Sequence, residues 1–175
     1  TTGTIDLNNF VLSTGLFSST SGSTRTLAFG ASGQLVLSGN NVTILDITSA
    51  TGLSFTGTVY INCTYTGATG TRTITTGLTE AQSSGFNVST SGTSGIVLSA
   101  SATDSVALTG SFSSIDLTGF IGTLTNTART IYGGLTVPAT GGTYTAGTSV
   151  TTFAATSGTK NITGNSRSLD FPVTF

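Results

Sequence analysis

Few side chains in this 175-residue chain could act as catalysts or metal ligands. There is no His, Trp or Met, and the single cysteine is Cys63. Without His, neither a Ser-His nor a Cys-His nucleophile can be assembled, and zinc loses its usual ligands. No stretch has the Gly-x-x-x-x-Gly-Lys-Ser/Thr spacing of a phosphate-binding loop. The composition therefore removes most catalytic, metal-binding and phosphate-binding chemistry.

The aspartates are the remaining candidates for chemistry. No two carboxylates lie within five residues of each other. A calcium site, built from carboxylate and carbonyl oxygens, would therefore need distant strands to bring two aspartates together. Glycoside cleavage needs two carboxylates roughly 5–10 Å apart, so it too would need distant strands to bring two aspartates together. The chain also has no Trp to line a sugar subsite. The aspartates are Asp6, Asp46, Asp104, Asp116 and Asp170, and the tyrosines are Tyr60, Tyr65, Tyr132 and Tyr144.

Two further features could support binding or reactivity. The Thr-x-Thr-x-Thr triplets at residues 71–75 and 123–127 have the local form of an ice-binding ladder, but their separations do not repeat at a fixed length. Cys63 lies between Ile61 and Tyr65 on an apolar face, which predicts a buried, unreactive thiol. We therefore predict that the chain is not an enzyme and has no catalytic, cofactor-binding or metal-binding residue and no cofactor.

Half of the chain consists of Thr, Ser and Gly, with 40, 24 and 24 residues respectively. These residues disfavour helix interiors through restricted χ1, competing hydrogen bonds and backbone entropy. Leu, Ile, Val and Phe together number 45, which is enough apolar content to fold. The net charge of −1 offers no basic patch for nucleic acid, and no apolar run approaches the ~20 residues of a membrane span. Low charge favours self-association.

Alternation of apolar and polar residues predicts strands. The clearest alternation runs from Leu53 to Tyr65 and predicts that Val59 and Ile61 face a core. Because thirteen residues exceed a usual strand, we expect a break near Gly57. Many short strands separated by turn residues are typical of a β-solenoid, a sandwich or a barrel. Further strands are predicted at residues 35–37, 42–47, 86–88, 96–98, 106–108, 115–117, 135–137 and 169–175.

Two motifs recur along the chain. Ile-Asp-Leu-Asn-Asn-Phe at residues 5–10 returns as Ile-Asp-Leu-Thr-Gly-Phe at residues 115–120, and apolar-Asp-apolar triplets recur at 45–47 and 169–171. We expect each Asp to face outward. Repetition favours an all-β β-solenoid (parallel β-helix) with short irregular rungs over a β-sandwich, in one elongated domain spanning residues 1–175. The second recurrent motif places a basic residue shortly before an apolar strand residue, as in Thr-Arg-Thr-Leu at residues 24–27. We expect these residues at strand entrances, where charge discourages edge pairing. They are all the basic residues of the chain: Arg25, Arg72, Arg129, Lys160 and Arg167.

Three segments carry a family resemblance. They are Thr-Leu-Thr-Asn-Thr-Ala-Arg-Thr-Ile-Tyr-Gly-Gly-Leu-Thr-Val at 123–137, Thr-Thr-Phe-Ala-Ala-Thr-Ser-Gly-Thr-Lys-Asn-Ile-Thr at 151–163, and Ser-Leu-Asp-Phe-Pro-Val-Thr-Phe at 168–175. They resemble repeats of Thr/Ser/Gly-rich β-helical bacteriophage proteins, which are similar to tail fibres or other virion surface structures. The resemblance is strongest over residues 112–175 and looser over 1–111. It implies a parallel β-helix within a longer fibre and carries no catalytic motif.

These observations lead us to expect a non-catalytic structural module of a phage virion appendage, at the virion surface or extracellular. A host-receptor or glycan-binding fibre module, and a subunit of a self-assembling bacterial extracellular filament or adhesin, remain alternatives. The expected partners are further copies of the chain as a trimer or filament, other virion proteins and a host surface glycan. We also expect the apolar residues of 169–175 to be covered by preceding rungs, further chain or a neighbouring copy, with Pro172 at an edge.

Overall fold

The structure is a computed structural model that describes residues 2–40, 43–65, 70–99 and 105–175. It contains 44% strand and 2% helix, so the predicted all-β fold is confirmed. The described elements are, in chain order, β1 (Gly3–Asp6), β2 (Val11–Thr14), β3 (Phe17–Ser18), β4 (Arg25–Gly30), β5 (Gln34–Leu37), β6 (Thr43–Ile47), β7 (Leu53–Gly57), β8 (Tyr60–Cys63), β9 (Thr71–Thr76), α1 (Glu80–Ser83), β10 (Val88–Ser89), β11 (Gly95–Leu98), β12 (Ser105–Phe112), β13 (Ile115–Asp116), β14 (Thr123–Leu124), β15 (Arg129–Ile131), β16 (Leu135–Thr136), β17 (Thr143–Tyr144), β18 (Thr151–Phe153), β19 (Ile162–Thr163) and β20 (Val173–Thr174).

Three sheets contain these strands, and every described strand pair is parallel. The first sheet has the order β1-β4-β7. The second has the order β19-β16-β13-β10-β11-β8-β5-β2, and the third β20-β18-β15-β12-β9-β6-β3. β14 pairs with β12 and β17 beside the third sheet. The antiparallel hairpins of a sandwich do not occur in the part of the chain that the structure describes.

Up to β9, successive strands pass from the first sheet to the second and then to the third. A parallel pair needs a long connection that returns the chain to the same end of the sheet. Here the connection consists of the strands of the other two sheets. Gly3 therefore pairs with Arg25, and Arg25 pairs in turn with Leu53.

This regular order changes after β9. The first sheet stops at β7, and β10 lies between β11 and β13, so the second sheet departs from chain order there. The short helix α1 occupies this region, and Thr79 caps it in a capping box with Gln82. The Gln82 side-chain amide donates to the carbonyls of Ala50 and Leu53, at 2.9 and 3.0 Å. These bonds attach α1 to the turn that enters β7.

The core consists of rows of apolar side chains stacked across the parallel strands. Leu35, Ile61 and Ile96 form one row in the second sheet, and all three are buried. Burying such a side chain fully stabilises the fold by roughly 1.5–3 kcal/mol. Because strand positions alternate between the two faces, the outward rows carry the Thr and Ser residues that dominate the composition.

The segment from Leu53 to Tyr65 confirms the predicted faces and the predicted break. Strand β7 ends at Gly57, whose φ is +80°, and β8 begins at Tyr60. A Cβ at Gly57 would lie 2.1 Å from the carbonyl oxygen of Gly30, its pairing partner. Positive φ and this close approach both require glycine. Two residues lie between β7 and β8, and the chain passes there from the first sheet to the second.

The predicted strand at residues 169–175 is shorter than expected, because only Val173 and Thr174 form β20. β20 is the edge strand of the third sheet, which agrees with the placement of Pro172 at an edge. Phe175 stacks on Phe153 with ring centroids 5.6 Å apart, so an earlier strand supplies part of the expected cover. Val42, the first residue of another predicted strand, lies outside the described residues.

Replacing the buried Ile61 by Asp should lower the free energy of unfolding by more than ~3 kcal/mol, because an unpaired charge would enter the core. The same substitution at Thr58 or Thr64, which are exposed on the opposite face, should change it by less than about 0.5 kcal/mol. Urea unfolding of the three variants measures the difference. Similar losses at all three positions would contradict the assignment of faces.

Candidate functional site

Three of the candidate aspartates form hydrogen bonds within local turns. Each faces outward, as predicted, and accepts a hydrogen bond from the backbone N–H two residues later. This arrangement is a local turn that Asp commonly makes. The bonds are Asn8 N to Asp6 Oδ1 (2.9 Å), Thr48 N to Asp46 Oδ1 (3.2 Å) and Thr118 N to Asp116 Oδ1 (2.9 Å).

The registers do not stack one of these aspartates on another. Asp6 pairs with Ala28, Asp46 with Ser18 and Thr75, and Asp116 with Thr136. The described residues contain no group of three or more His, Cys, Asp or Glu side chains that could hold a metal ion. Asp104 lies outside the described residues. Asp116 lines a polar groove of about 320 Å³, but its Oδ1 already accepts bonds from the Thr118 N–H and hydroxyl.

Arg25 holds one corner of the structure together. Its guanidinium makes five hydrogen bonds, two of them to Ser19 and the others to carbonyls of Ser23, Ser49 and Thr51. The Nε–Ser19 Oγ distance is 2.7 Å, and the Nη1–Thr51 O distance is 2.8 Å. A planar fork with five donors suits such a cluster of acceptors. One side chain therefore joins the turn just before it to a second turn that lies 24 to 26 residues after Arg25 in the sequence.

Arg72 and Arg129 lie at the starts of β9 and β15, as predicted, but both are buried, so they do not act as exposed charges that discourage edge pairing. In β9, Arg72 points inward with Ile74 and Thr76, and in β15 Arg129 points inward with Ile131. Burial lowers the pKa of Arg129 to about 10, so this side chain remains charged at neutral pH. Its donors reach the carbonyls of Thr125 and Thr127, at 2.9 and 3.2 Å.

Three arginines lie over aromatic rings. Such contacts add an electrostatic attraction between the cation and the π face. They involve two of the four tyrosines that could have stacked against a sugar, Tyr65 and Tyr144. Burial raises the pKa of Tyr144, and the charge of Arg167 opposes this shift. All four tyrosines are half-buried. The distances from the guanidinium carbon to the ring centroid are 5.7 Å for Arg72 and Tyr65, 5.9 Å for Arg129 and Phe171, and 5.5 Å for Arg167 and Tyr144.

The two threonine triplets differ in structure. The triplet at residues 71–75 lies on the outer face of β9, whereas only Thr123 of the second triplet belongs to a strand. Outward rows of the third sheet also contain Asp46 and Ala107, which interrupt the threonines. The structure therefore gives no continuous threonine ladder in the described part of this sheet. Cys63 is buried, as predicted.

The exposed large apolar side chains collect at the two ends of the stack. We call β1, β2 and β3, with the residues joining them, the first edge, and β19 and β20 with Phe175 the last edge. The sequence patterns did not predict the first edge, although adjacent apolar residues at Val11 and Leu12 break the alternation there. Five residues are exposed on the first edge and three on the last: Ile5, Phe10, Val11, Leu12 and Leu16, and Ile162, Val173 and Phe175.

Each edge carries an apolar groove. The groove at the first edge has a volume of about 460 Å³ and is lined by Ile5, Phe17 and Leu53 among others. The groove at the last edge has a volume of about 300 Å³ and includes Lys160 and Phe175 in its lining. Exposed apolar surface bordered by polar residues is typical of interaction surfaces.

Glu80 makes a contact between distant segments that the sequence did not indicate. Its carboxylate accepts bonds from the Thr156 hydroxyl at 2.7 Å and from the Thr156 N–H at 3.1 Å. These bonds hold the pKa of Glu80 below its usual value, with a smaller contribution from Lys160. The contact ties α1 to the loop after β18.

No family model, curated protein or solved structure matches the chain. Among the described residues, no helix has the length and apolar character needed to cross a membrane.

Replacing Arg25 by Lys should lower the free energy of unfolding by about 1–3 kcal/mol, because an ammonium cannot satisfy five dispersed acceptors. Arg167→Lys is the matched control, since the only hydrogen bond described for the Arg167 side chain is one to Gly142 O, at 2.5 Å. Thermal unfolding compares the two variants. If Arg25→Lys is no more destabilising than Arg167→Lys, the corner at Arg25 does not depend on the guanidinium.

Replacing Thr156 by Val should raise the pKa of Glu80 toward its usual value, because the hydroxyl donor is lost while the N–H remains. A lowered pKa in the fold means that the contact stabilises at neutral pH and is lost as the pH falls through that pKa. Carboxyl NMR titration measures the change, and Thr159→Val serves as the control. An unchanged Glu80 pKa in Thr156→Val would show that the hydroxyl does not make the contact.

Proposed function

We propose that the chain is a β-solenoid (parallel β-helix) with irregular rungs and that it serves as a non-catalytic structural module of a phage virion appendage. The order of strands supports the solenoid. The first nine strands pass three times through the same three sheets, and each strand of the first two rounds pairs in parallel with its counterpart in the next round. A chain that continued in this way would build a rod from short strands without needing a large globular core.

The observation that supports the structural role is that the charged side chains form hydrogen bonds that stabilise the fold. Asp6, Asp46 and Asp116 are bonded into turns, and Arg25 joins two turns. Arg129 donates to the carbonyls of Thr125 and Thr127, in the segment that precedes β15. These are the side chains that a catalytic or binding site would have to use. A chain with few charges that places them at turns and corners is suited to maintaining shape.

The phage assignment rests on the resemblance of residues 112–175 to Thr/Ser/Gly-rich β-helical phage proteins. The segments that carry it correspond to turns and strands of the stack, including β15, β16 and β18. The resemblance therefore concerns the repeating units themselves. We place the chain at the virion surface or in another extracellular setting, in contact with further copies of itself and with other virion proteins.

Imaging of the native particle tests this proposal. A gold-labelled antibody raised against the chain should label the length of an appendage on purified virions. Antibody absorbed with the recombinant chain is the control, and it should leave the particles unlabelled. Label on host filaments from cultures free of phage would support a bacterial filament subunit instead and overturn the virion role.

A recognition role would give a different result in the same experiment. Label confined to the tip of a fibre, together with inhibition of phage adsorption by the recombinant chain, would overturn the structural role. It would favour a module that binds a host receptor or surface glycan. Label along the shaft with no effect on adsorption is the result that the structural role predicts.

A further inference from the structure

Arg129 is a buried cation that has no counter-charge among the described residues. Its side chain is 5% exposed, and it forms no ion pair with a carboxylate in that part of the chain. Asp170 precedes Phe171, whose ring contacts Arg129, but Asp170 is itself exposed. It accepts a hydrogen bond from the Ser168 hydroxyl at 3.1 Å. Because a buried charge is costly unless it is paired, this guanidinium requires a compensating group.

The hydrogen bonds of Arg129 leave part of its guanidinium unused. Nε donates to the carbonyl of Thr127, and Nη2 donates to the carbonyl of Thr125 and to the Thr127 hydroxyl. No hydrogen bond from Nη1 to a described residue is present. All three acceptors are neutral, so they satisfy N–H groups without balancing the positive charge.

Thr151 supplies an unpaired hydroxyl beside this guanidinium. It pairs with Arg129 in the parallel register of β15 and β18, and both side chains face the inside of the stack. Thr151 is fully buried, and its Oγ1 has no hydrogen-bond partner among the described residues. Since buried hydroxyls in proteins are nearly always hydrogen-bonded, this one also requires a partner.

The guanidinium and the Thr151 side chain lie over the same strand. The guanidinium carbon of Arg129 is 5.9 Å from the centroid of the Phe171 ring, and Phe171 lies just before β20. In the third sheet β18 lies between β15 and β20, and the Thr151 N–H donates to the carbonyl of Pro172 at 2.9 Å. Arg129 and Phe171 therefore meet on the inner side of the strand that holds Thr151.

A second unpaired hydroxyl lies in the same region. Thr125 Oγ1 is buried without a partner among the described residues, and the carbonyl of Thr125 accepts the bond from Arg129 Nη2 at 2.9 Å. Each hydroxyl can donate one hydrogen bond. The surroundings of the guanidinium thus combine one cation with two unused hydroxyl donors and no acidic side chain from the described residues. This set of groups suits an anion.

We propose that Arg129 Nη1 and Thr151 Oγ1 bind a chloride ion inside the third sheet. A water molecule would satisfy the hydrogen bonds but leave the positive charge uncompensated, whereas an anion supplies both. One negative charge balances one guanidinium, and a spherical ion accepts hydrogen bonds from several directions. The ion holds β15 to β18. This inference goes beyond the proposed structural role and does not depend on it.

The dependence of thermal unfolding on chloride tests the site in the full 175-residue chain. Sodium gluconate, whose anion is too large for a buried site of this kind, replaces sodium chloride at constant ionic strength. The wild-type Tm should rise by about 3–5 °C as chloride replaces gluconate, because the ion binds only the folded chain. Chlorine NMR of the folded chain should show an excess line width that disappears on unfolding.

Three substitutions locate the chloride response. Thr151→Val removes the hydroxyl, keeps the shape of the side chain and should weaken chloride binding about tenfold or more. Thr151→Ser retains a hydroxyl and should keep the response. Thr152→Val is the matched control, because Thr152 is the next residue of β18 and faces the opposite side of the sheet. It should respond to chloride as the wild-type chain does.

Two results would overturn the inference. The first is a wild-type chain whose Tm does not rise in chloride and whose chlorine line width shows no excess, which would leave water as the partner of these groups. The second is a Thr151→Val variant that responds as strongly as Thr152→Val, because chloride would then bind elsewhere. The wild-type measurements decide the matter even if Thr151→Val does not fold. Neither result affects the imaging test of the proposed function.

Discussion

Parallel pairing is the constraint on which the rest of this structure depends. Two parallel strands can be neighbours only if the chain returns to the same end of the sheet between them. Up to β9 the return path consists of strands in the other two sheets, so each turn there must redirect the chain at a fixed place. The side chains best able to hold turns, Asp6, Asp46 and Asp116, are used there, and Arg25 joins two turns from successive rounds.

The same constraint explains the composition. An inward row such as Leu35, Ile61 and Ile96 needs one apolar residue from each strand, and the outward neighbours need only tolerate an extended backbone. Thr and Ser fulfil the second requirement, and β-branched Thr favours strands. Glycine is required where two backbones come close together, as at Gly30 and Gly57. Half of the chain can therefore be Thr, Ser and Gly without loss of a core.

Local patterns predicted the local features of the fold and missed those that depend on distant pairing. Alternation placed Val59, Ile61 and Cys63 in the core and put the break at Gly57, because both follow from neighbouring residues. The order of β10 and β11 and the end of the first sheet at β7 follow from contacts between remote segments, which alternation does not record. The burial of Arg72 could have been predicted from the sequence, because Arg72 and Ile74 share a face of the strand. Its charge suggested an exposed position instead.

Hydrogen-bonded charged side chains and exposed apolar side chains occupy different positions in the fold. The guanidinium groups of Arg25 and Arg129 are engaged with carbonyls of nearby turns and segments, whereas the exposed large apolar side chains lie mainly at the first and last edges. Of the nine large apolar side chains that are exposed among the described residues, all but Ile121 lie on these two edges.

Crosslinking across the third sheet tests the parallel stack most directly. In parallel register, Thr71 pairs with Ser105 and Thr75 with Thr109, and the first two hydroxyl oxygens are 2.9 Å apart. With Cys63 replaced by Ser, cysteine pairs at 71/105 and 75/109 should both react with a short thiol crosslinker, whereas pairs at 71/109 and 75/105 should not. Crosslinking of the second two pairs instead of the first two would show antiparallel strands and contradict the account.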